Sequence, residues 1–224
     1  MTNRFKAIYM NEKYLVILLA GLISFLTFNL PIKAQKFTVV KDFETVQTEI
    51  NKKAESIQTI KSYFLQEKHL GFLTEPIKSE GLFRYKKENQ LRWEYIMPFQ
   101  YLILFNGNKI IIKDKNKRNE FDANSNSIFK QINDLMLGAI KGNLGKNKDF
   151  SMSLQESPKQ YKLMLTPQNV SLKSYISCVE IYFEKSDLAV SFIKIVESTG
   201  DFTTIQFTER KFNEPIDDAT FYTN

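Results

Sequence analysis

The feature that most constrains this 224-residue chain is a succession of short segments in which apolar and polar residues alternate, separated by turn chemistry. Ile60, Ser62, Phe64 and Gln66 alternate with Lys61, Tyr63, Leu65 and Glu67. Similar runs occur at Ile77 to Lys86, Gln90 to Ile96, Tyr101 to Phe105, Lys109 to Lys113, Arg118 to Phe121, Phe150 to Gln155, Tyr161 to Thr166, Tyr175 to Phe183, Ala189 to Val196 and Phe202 to Phe212. Residues two apart share one face of a strand. The connections are short, with Glu88-Asn89, Asn106-Gly107, Lys185-Ser186-Asp187 and Ser198-Thr199-Gly200-Asp201 as turns, and strands so joined run antiparallel. The expectation is a mainly β chain, with about ten to eleven strands in one curved sheet whose interior is filled by side chains or left to a ligand.

Two segments change the period. Phe43, Val46, Ile50, Ala54 and Ile57 recur every three or four residues, which predicts an amphipathic helix from Asp42 to Ser56 with Asp42 as its N-cap. Ser127 to Lys141 places Ile128, Ile132, Leu135, Met136, Ala139 and Ile140 on one helical stripe ended by Gly142, and polar loops flank it on both sides. A short apolar helix on such tethers can dock or lift. No internal repeat or charge block divides the chain beyond residue 34, so residues 35–224 are expected to form one domain.

The first 34 residues read differently. Arg4, Lys6 and Lys13 precede an uncharged apolar stretch, Tyr14 to Leu30, and Pro31-Ile32-Lys33-Ala34 ends on a small residue. This order is that of a secretory signal peptide cleaved after Ala34. The alternative is an uncleaved inner-membrane anchor, because 17 residues reach the lower limit of a membrane span. Arg4, Lys6, Lys13 and Lys33 against Glu12 supply three of the six net positive charges. The remainder is weakly basic, with no basic run interleaved with aromatics, which excludes a nucleic-acid-binding face. A single cysteine, Cys178, permits no internal disulfide and is read as a small buried hydrophobe.

Strand faces carry the functional information. Gly81, Phe83 and Tyr85 share one side of their strand and Leu91, Trp93 and Tyr95 one side of the next, with Arg84, Lys86, Arg92 and Glu94 opposite. Phe64, Phe192, Ile205 and Phe207 extend this surface if their strands close the same sheet. Taken singly these residues are core; together they are compatible with a cavity for a hydrophobic ligand. Catalytic patterns are missing: one histidine, His69, and no CxxC, GxSxG, phosphate loop or HExxH. No metal, cofactor or enzymatic role is expected.

The stretch from Ile60 to Lys113 resembles the periplasmic outer-membrane lipoprotein carriers, the LolA family. The resemblance rests on Phe64-Leu65-Gln66-Glu67-Lys68, on Pro76, Ser79 and Gly81 leading Phe83-Arg84-Tyr85-Lys86, on Leu91-Arg92-Trp93-Glu94-Tyr95-Ile96-Met97-Pro98, and on Asn106-Gly107 before an apolar strand; the terminal Pro215 to Phe221 also fits. It implies an incomplete antiparallel barrel closed by an N-terminal helix and a helical lid over an apolar cavity. It also implies a monomeric periplasmic carrier that takes the acyl chains of lipoproteins from an inner-membrane transporter to an outer-membrane receptor. By position, Phe64, Phe83, Tyr85, Leu91, Trp93 and Tyr95 would line the cavity, and Ile128, Ile132, Leu135 and Met136 would form the lid. Where the family often carries Arg-Pro to hold that lid, this chain has Lys87-Glu88, so the lock falls to Lys87 or Arg92. Two further readings stay open: a carrier of another lipid or polyene, and an envelope sensor of the same fold that binds a partner protein.

Overall fold

Alternating runs pair when each has one face to bury, and here they assemble into a single sheet. The structure is a computed structural model that describes residues 36–87, 89–115, 117–122, 138 and 149–223. In chain order its elements are β1 (Thr38–Val39), α1 (Phe43–Ser56), β2 (Thr59–His69), β3 (Ile77–Lys86), β4 (Gln90–Met97), β5 (Tyr101–Asn106), β6 (Lys109–Lys113), β7 (Arg118–Asp122), β8 (Phe150–Glu156), β9 (Gln160–Pro167), α2 (Val170–Lys173), β10 (Ile176–Glu184), β11 (Val190–Glu197), β12 (Phe202–Phe212) and a 3-10 helix (Asp218–Phe221). The sheet order is β1-β8-β9-β10-β11-β12-β2-β3-β4-β5-β6-β7, antiparallel at each pairing, with β1 and β7 as open edges. This is the expected mainly β, incomplete barrel. Its twelfth strand, β1, is a two-residue element paired with Glu156 and Gln155, too short for periodicity to reveal.

The helix begins where its cap predicts. The Asp42 carboxylate accepts from Thr45 N–H at 3.0 Å, and hydrogen bonding from the Thr45 side chain and then from its N–H holds the carboxyl below its ordinary pKa. Turn chemistry is also local: Asn106 pairs with Lys109, leaving Gly107-Asn108 as the loop, and Gly107 has φ 59°. The turn thus sits one residue later than Asn106-Gly107, because a II′ hairpin needs glycine at its first central position.

Two apolar clusters occupy the inner face. One joins Ile50 of α1 to Leu154, Leu163, Ile181 and Phe183; the other is built on β2, β3, β4 and β12 around Phe64 and Trp93. Val190 and Ile193 of β11 pack against both. On the opposite face, Leu102, Leu104 and Ile111 form a third cluster, and the 3-10 helix packs on β4 and β5 with Phe221 buried. Apart from Gly138, which is helical, the expected helix from Ser127 to Lys141 and its residues Ile128, Ile132, Leu135 and Met136 lie outside the described residues, as do residues 1–34.

Candidate functional site: an aromatic seam under the first helix

Register brings the expected aromatic residues together. Gly81 lies opposite Tyr95, Phe83 opposite Trp93 and Tyr85 opposite Leu91, while Phe64 lies opposite Gly81 on one side and Phe207 on the other. All six expected cavity residues, Phe64, Phe83, Tyr85, Leu91, Trp93 and Tyr95, are buried in one cluster with Ile205 and Phe207. Trp93 is its hub, with ring centroids 5.0 Å from Phe64, 5.3 Å from Phe83 and 5.9 Å from Phe207 in tilted and edge-on geometries. At the far end, the Tyr95 hydroxyl donates to Gln66 Oε1 at 2.9 Å, and burial pushes its pKa up. Phe192 does not join them. It pairs with Tyr182 and Gln206, shares the opposite face of β11 from Ile193, and packs edge-on against Tyr182 at 5.2 Å.

A cavity runs along the seam between the two inner clusters. Ile50 and Ala54 of α1 and its C-cap residue Ile57 cover it; Ile60, Ser62, Phe83, Trp93, Ile193, Phe207 and Phe212 form the sheet side; Phe183, Leu188, Ala189, Val190 and Arg210 close one flank. Phe83 and Trp93 thus touch the cavity, and Phe64, Tyr85, Leu91 and Tyr95 stand outside its wall in the same cluster. The cavity has a volume of about 50 Å³. At roughly 10–15 Å³ for each water, that is space for a few waters and far too little for an acyl chain. A long ligand therefore requires α1, or the loop carrying Leu188, to move away from the sheet.

Arg210 is the wall residue that the alternating pattern hides. Strict alternation from Ile205 and Phe207 would turn Glu209 inward. Glu209 instead has φ 50°, the register between β12 and β2 shifts between Thr208 and Lys211, and Arg210 and Phe212 reach the cavity. The Arg210 guanidinium donates to Ala189 O at 3.1 Å and Val190 O at 3.2 Å and pairs with Asp187 at 3.0 Å, fastening the β10–β11 loop over the seam. Only the break in apolar spacing between Phe207 and Phe212 signals this in the sequence. The stripe of Ile50, Ala54 and Ile57 is legible in the sequence as an amphipathic face, but not as the cavity's roof.

Lys87 and Arg92 hold other elements among the described residues. Lys87 Nζ donates to Glu55 O at 3.1 Å and its N–H donates to Gln58 O at 2.8 Å, which ties down the C-terminal end of α1. Arg92 lies on the outer face, where Nε donates to Glu94 Oε2 at 2.9 Å and Nη1 to Thr220 O at 3.1 Å. Cys178 is half-buried, not buried as expected: it stands on β10 beside the charges of Glu180 and Lys194, and partial burial raises its thiol pKa. Among the described residues no group of three His, Cys, Asp or Glu side chains could hold a metal ion, and no helix is long and apolar enough to cross a membrane.

The family model for the outer membrane lipoprotein carrier protein LolA matches residues 55–224, from the end of α1 through β2 to β12 and the terminal 3-10 helix. The chain belongs to the LolA family. No curated protein sequence matches it. Among solved structures, an uncharacterized conserved protein from Thermus thermophilus is similar in fold, with TM-score 0.50, 11% identity, and 78% of this chain and 91% of that one covered. The MucA/MucB complex of Pseudomonas aeruginosa (TM-score 0.49, 10% identity) covers 80% of this chain, which spans 60% of that one. A LolA superfamily protein from Nitrosomonas europaea (TM-score 0.41, 10% identity) covers 79% and 97%. In LolA-family terms, the seam lies inside the incomplete barrel, under the helix that precedes β2.

Proposed function

We propose that this LolA-family chain is an exported, monomeric carrier that shields the acyl chains of lipoproteins between α1 and the inner face of the sheet while they pass from inner to outer membrane. Residues 1–34 act as the export signal and residues 35–224 as the carrier domain. An inner-membrane transporter loads the carrier and an outer-membrane receptor unloads it. The observation that carries this reading is the seam itself: a cavity walled mainly by Ile, Phe, Trp and Val side chains between two apolar clusters.

Energetics set what such a site must do. Each buried methylene contributes about 0.8 kcal/mol, so removing a chain of roughly 16 carbons from a bilayer needs on the order of 12 kcal/mol of replacement contacts. Separating α1 from the sheet exposes both clusters at once, and the incoming chain covers them again. The same exchange in reverse permits release, because the closed seam recovers its own contacts. Phe83 and Trp93 meet the chain directly, and Phe64, Tyr85, Leu91 and Tyr95 back them.

Incubating the purified protein with inner membranes that hold labelled lipoproteins tests the reading. Soluble lipoprotein complexes are expected on gel filtration, and absence of acylated cargo would overturn it. Mass spectrometry of the lipid extracted from those complexes separates lipoprotein cargo from another lipid or a polyene.

A further inference from the structure

Antiparallel order sorts the hairpin connections between the two ends of the sheet. The β2–β3, β4–β5 and β6–β7 connections leave one end, and the β3–β4 and β5–β6 turns leave the other. Their chemistry differs. At the second end the described turn residues are polar or glycine: Lys87, Asn89, Gly107 and Asn108. At the first end two neighbouring connections each raise a phenylalanine into solvent, Phe72 at 81% and Phe99 at 78% exposure, and Leu73, Ile77, Ile96 and Met97 beside them are exposed as well. Single exposed apolar residues are ordinary, but six gathered at one end of a sheet mark a surface that meets something apolar.

The β2–β3 tip is held in place. Gly71 N–H donates to Asp201 Oδ1 at 2.8 Å and Leu73 N–H to Leu70 O at 2.9 Å, which fixes the chain on either side of Phe72. A ring four-fifths exposed has few neighbours, so Phe72 and Phe99 project from the end of the sheet and do not line a groove. The third connection is basic, with Lys113, Lys115 and Lys117 against Asp114. Asp114 closes this turn: its N–H donates to Lys117 O at 3.0 Å and its carboxylate accepts from Lys117 N–H at 2.7 Å. Lys115 and Asp114 share a surface hollow with Ile96, Pro98, Phe99 and Gln100, so the basic turn stands against the Phe99 loop.

We infer that this end of the sheet docks on a lipid bilayer: Phe72 and Phe99 enter the headgroup boundary, and Lys115 and Lys117 meet anionic phospholipid headgroups. Charge complementarity decides the occupant. A projecting ring finds apolar surroundings in a bilayer without a shaped partner, and lysines beside it draw it to an anionic surface. The inference goes beyond the carrier reading, because it concerns how the folded chain meets a membrane and not what the seam holds.

The chain without residues 1–34 is the form to test, because Phe37–Asn224 is a compact unit of its own and the apolar stretch from Tyr14 to Leu30 would enter a bilayer by itself. Protein-free vesicles of phosphatidylethanolamine and phosphatidylglycerol are expected to carry it down on sedimentation, less so as salt rises. Phe72→Ser and Phe99→Ser, at positions too exposed to disturb the fold, should each weaken binding about tenfold. Lys115→Gln should weaken it about fivefold on these vesicles and leave binding to neutral phosphatidylcholine vesicles unchanged. Val39→Ser, which removes an exposed apolar residue at the opposite end, should bind as the wild type does. A polarity-sensitive dye on Phe99→Cys, in a Cys178→Ser background, should shift to the blue on vesicles, and the same dye on Asn108→Cys should not. No binding to the anionic vesicles, binding unaffected by both serine variants, or equal dye shifts at the two ends would overturn the inference. Binding to native envelope membranes but not to protein-free vesicles, lost in Phe99→Ser, would also overturn it by assigning the tips to a protein partner. Each of these results leaves the carrier reading to its own test, the recovery of soluble lipoprotein complexes.

Discussion

The Phe64 ring and the backbone of β4 occupy the space where a side chain at position 81 would begin: a Cβ on Gly81 would lie 2.9 Å from Phe64 Cε1 and 1.9 Å from the Glu94 carbonyl oxygen. The second contact is with backbone, which has no flexible end to yield. Gly81 also sits at the register shift between β3 and β4, facing Tyr95. Replacing it forces apart the two strands that carry Phe83 and Trp93. Gly81→Ala is therefore expected to lower stability by about 3 kcal/mol or more, read as a fall in the urea midpoint with the slope unchanged. A loss below about 1 kcal/mol would mean that the strands separate easily and that the close approach is not needed.

Local signals in the sequence reach far into this fold, and non-local ones do not. Eleven strands and the Asp42 cap are legible from period and composition, since alternation and capping act within a few residues. So is the shared face of Phe83, Tyr85, Leu91, Trp93 and Tyr95. The pairing of β12 with β2, which brings Phe207 to Phe64, joins residues more than a hundred positions apart and leaves no local trace. The covering of Leu104 and Arg92 by the terminal 3-10 helix is equally long-range. Arg210 is hidden for another reason: a single positive φ at Glu209 reverses which residues face inward, and nothing in side-chain alternation announces the bulge.

Arg210 offers a test of how the seam is kept closed. One planar guanidinium serves Asp187 and Ala189 O in the β10–β11 loop and Val190 O at the start of β11, a geometry that a lysine ammonium cannot reproduce. Arg210→Lys is expected to cost about 1–2 kcal/mol. It should also speed amide exchange at Leu188 and Ala189, whose N–H groups bond Glu184 O and the Asp187 carboxylate. Unchanged exchange at both amides would show that the loop is held by its own turn and not by Arg210.

Glu94 gives the outer face a defined response to acid. The Arg92 hydrogen bond, against a smaller cost of burial, holds its carboxyl below the ordinary value of 4.5, and the charges of Arg92 and Arg84 add to this. A carboxyl whose pKa is lower in the folded than in the unfolded state adds stability above its unfolded pKa, and this is lost as pH falls through the folded value. Glu94→Gln is expected to lower the melting temperature at neutral pH and to flatten the decline below pH 4.5, so that the two proteins converge in acid. A constant difference between them across that range would assign the effect to packing and not to charge.

Ile50 separates the seam from a smaller cavity of about 20 Å³ bounded by Phe43, Gln47, Asn51, Leu154, Leu163 and Phe183. Cutting it back to alanine joins the two under α1 and removes contacts from the inner cluster of Leu154, Leu163, Ile181 and Phe183, which is expected to cost about 2–4 kcal/mol. An acyl ligand that lies along this seam regains those contacts in the enlarged space, and ligand that binds only the folded protein raises its stability in proportion to occupancy. Ile50→Ala should therefore melt lower than the wild type without ligand, yet show the larger rise in melting temperature when monodecanoylglycerol is added. A variant that is destabilised but gains no more from the ligand than the wild type would place the chain elsewhere than beneath α1.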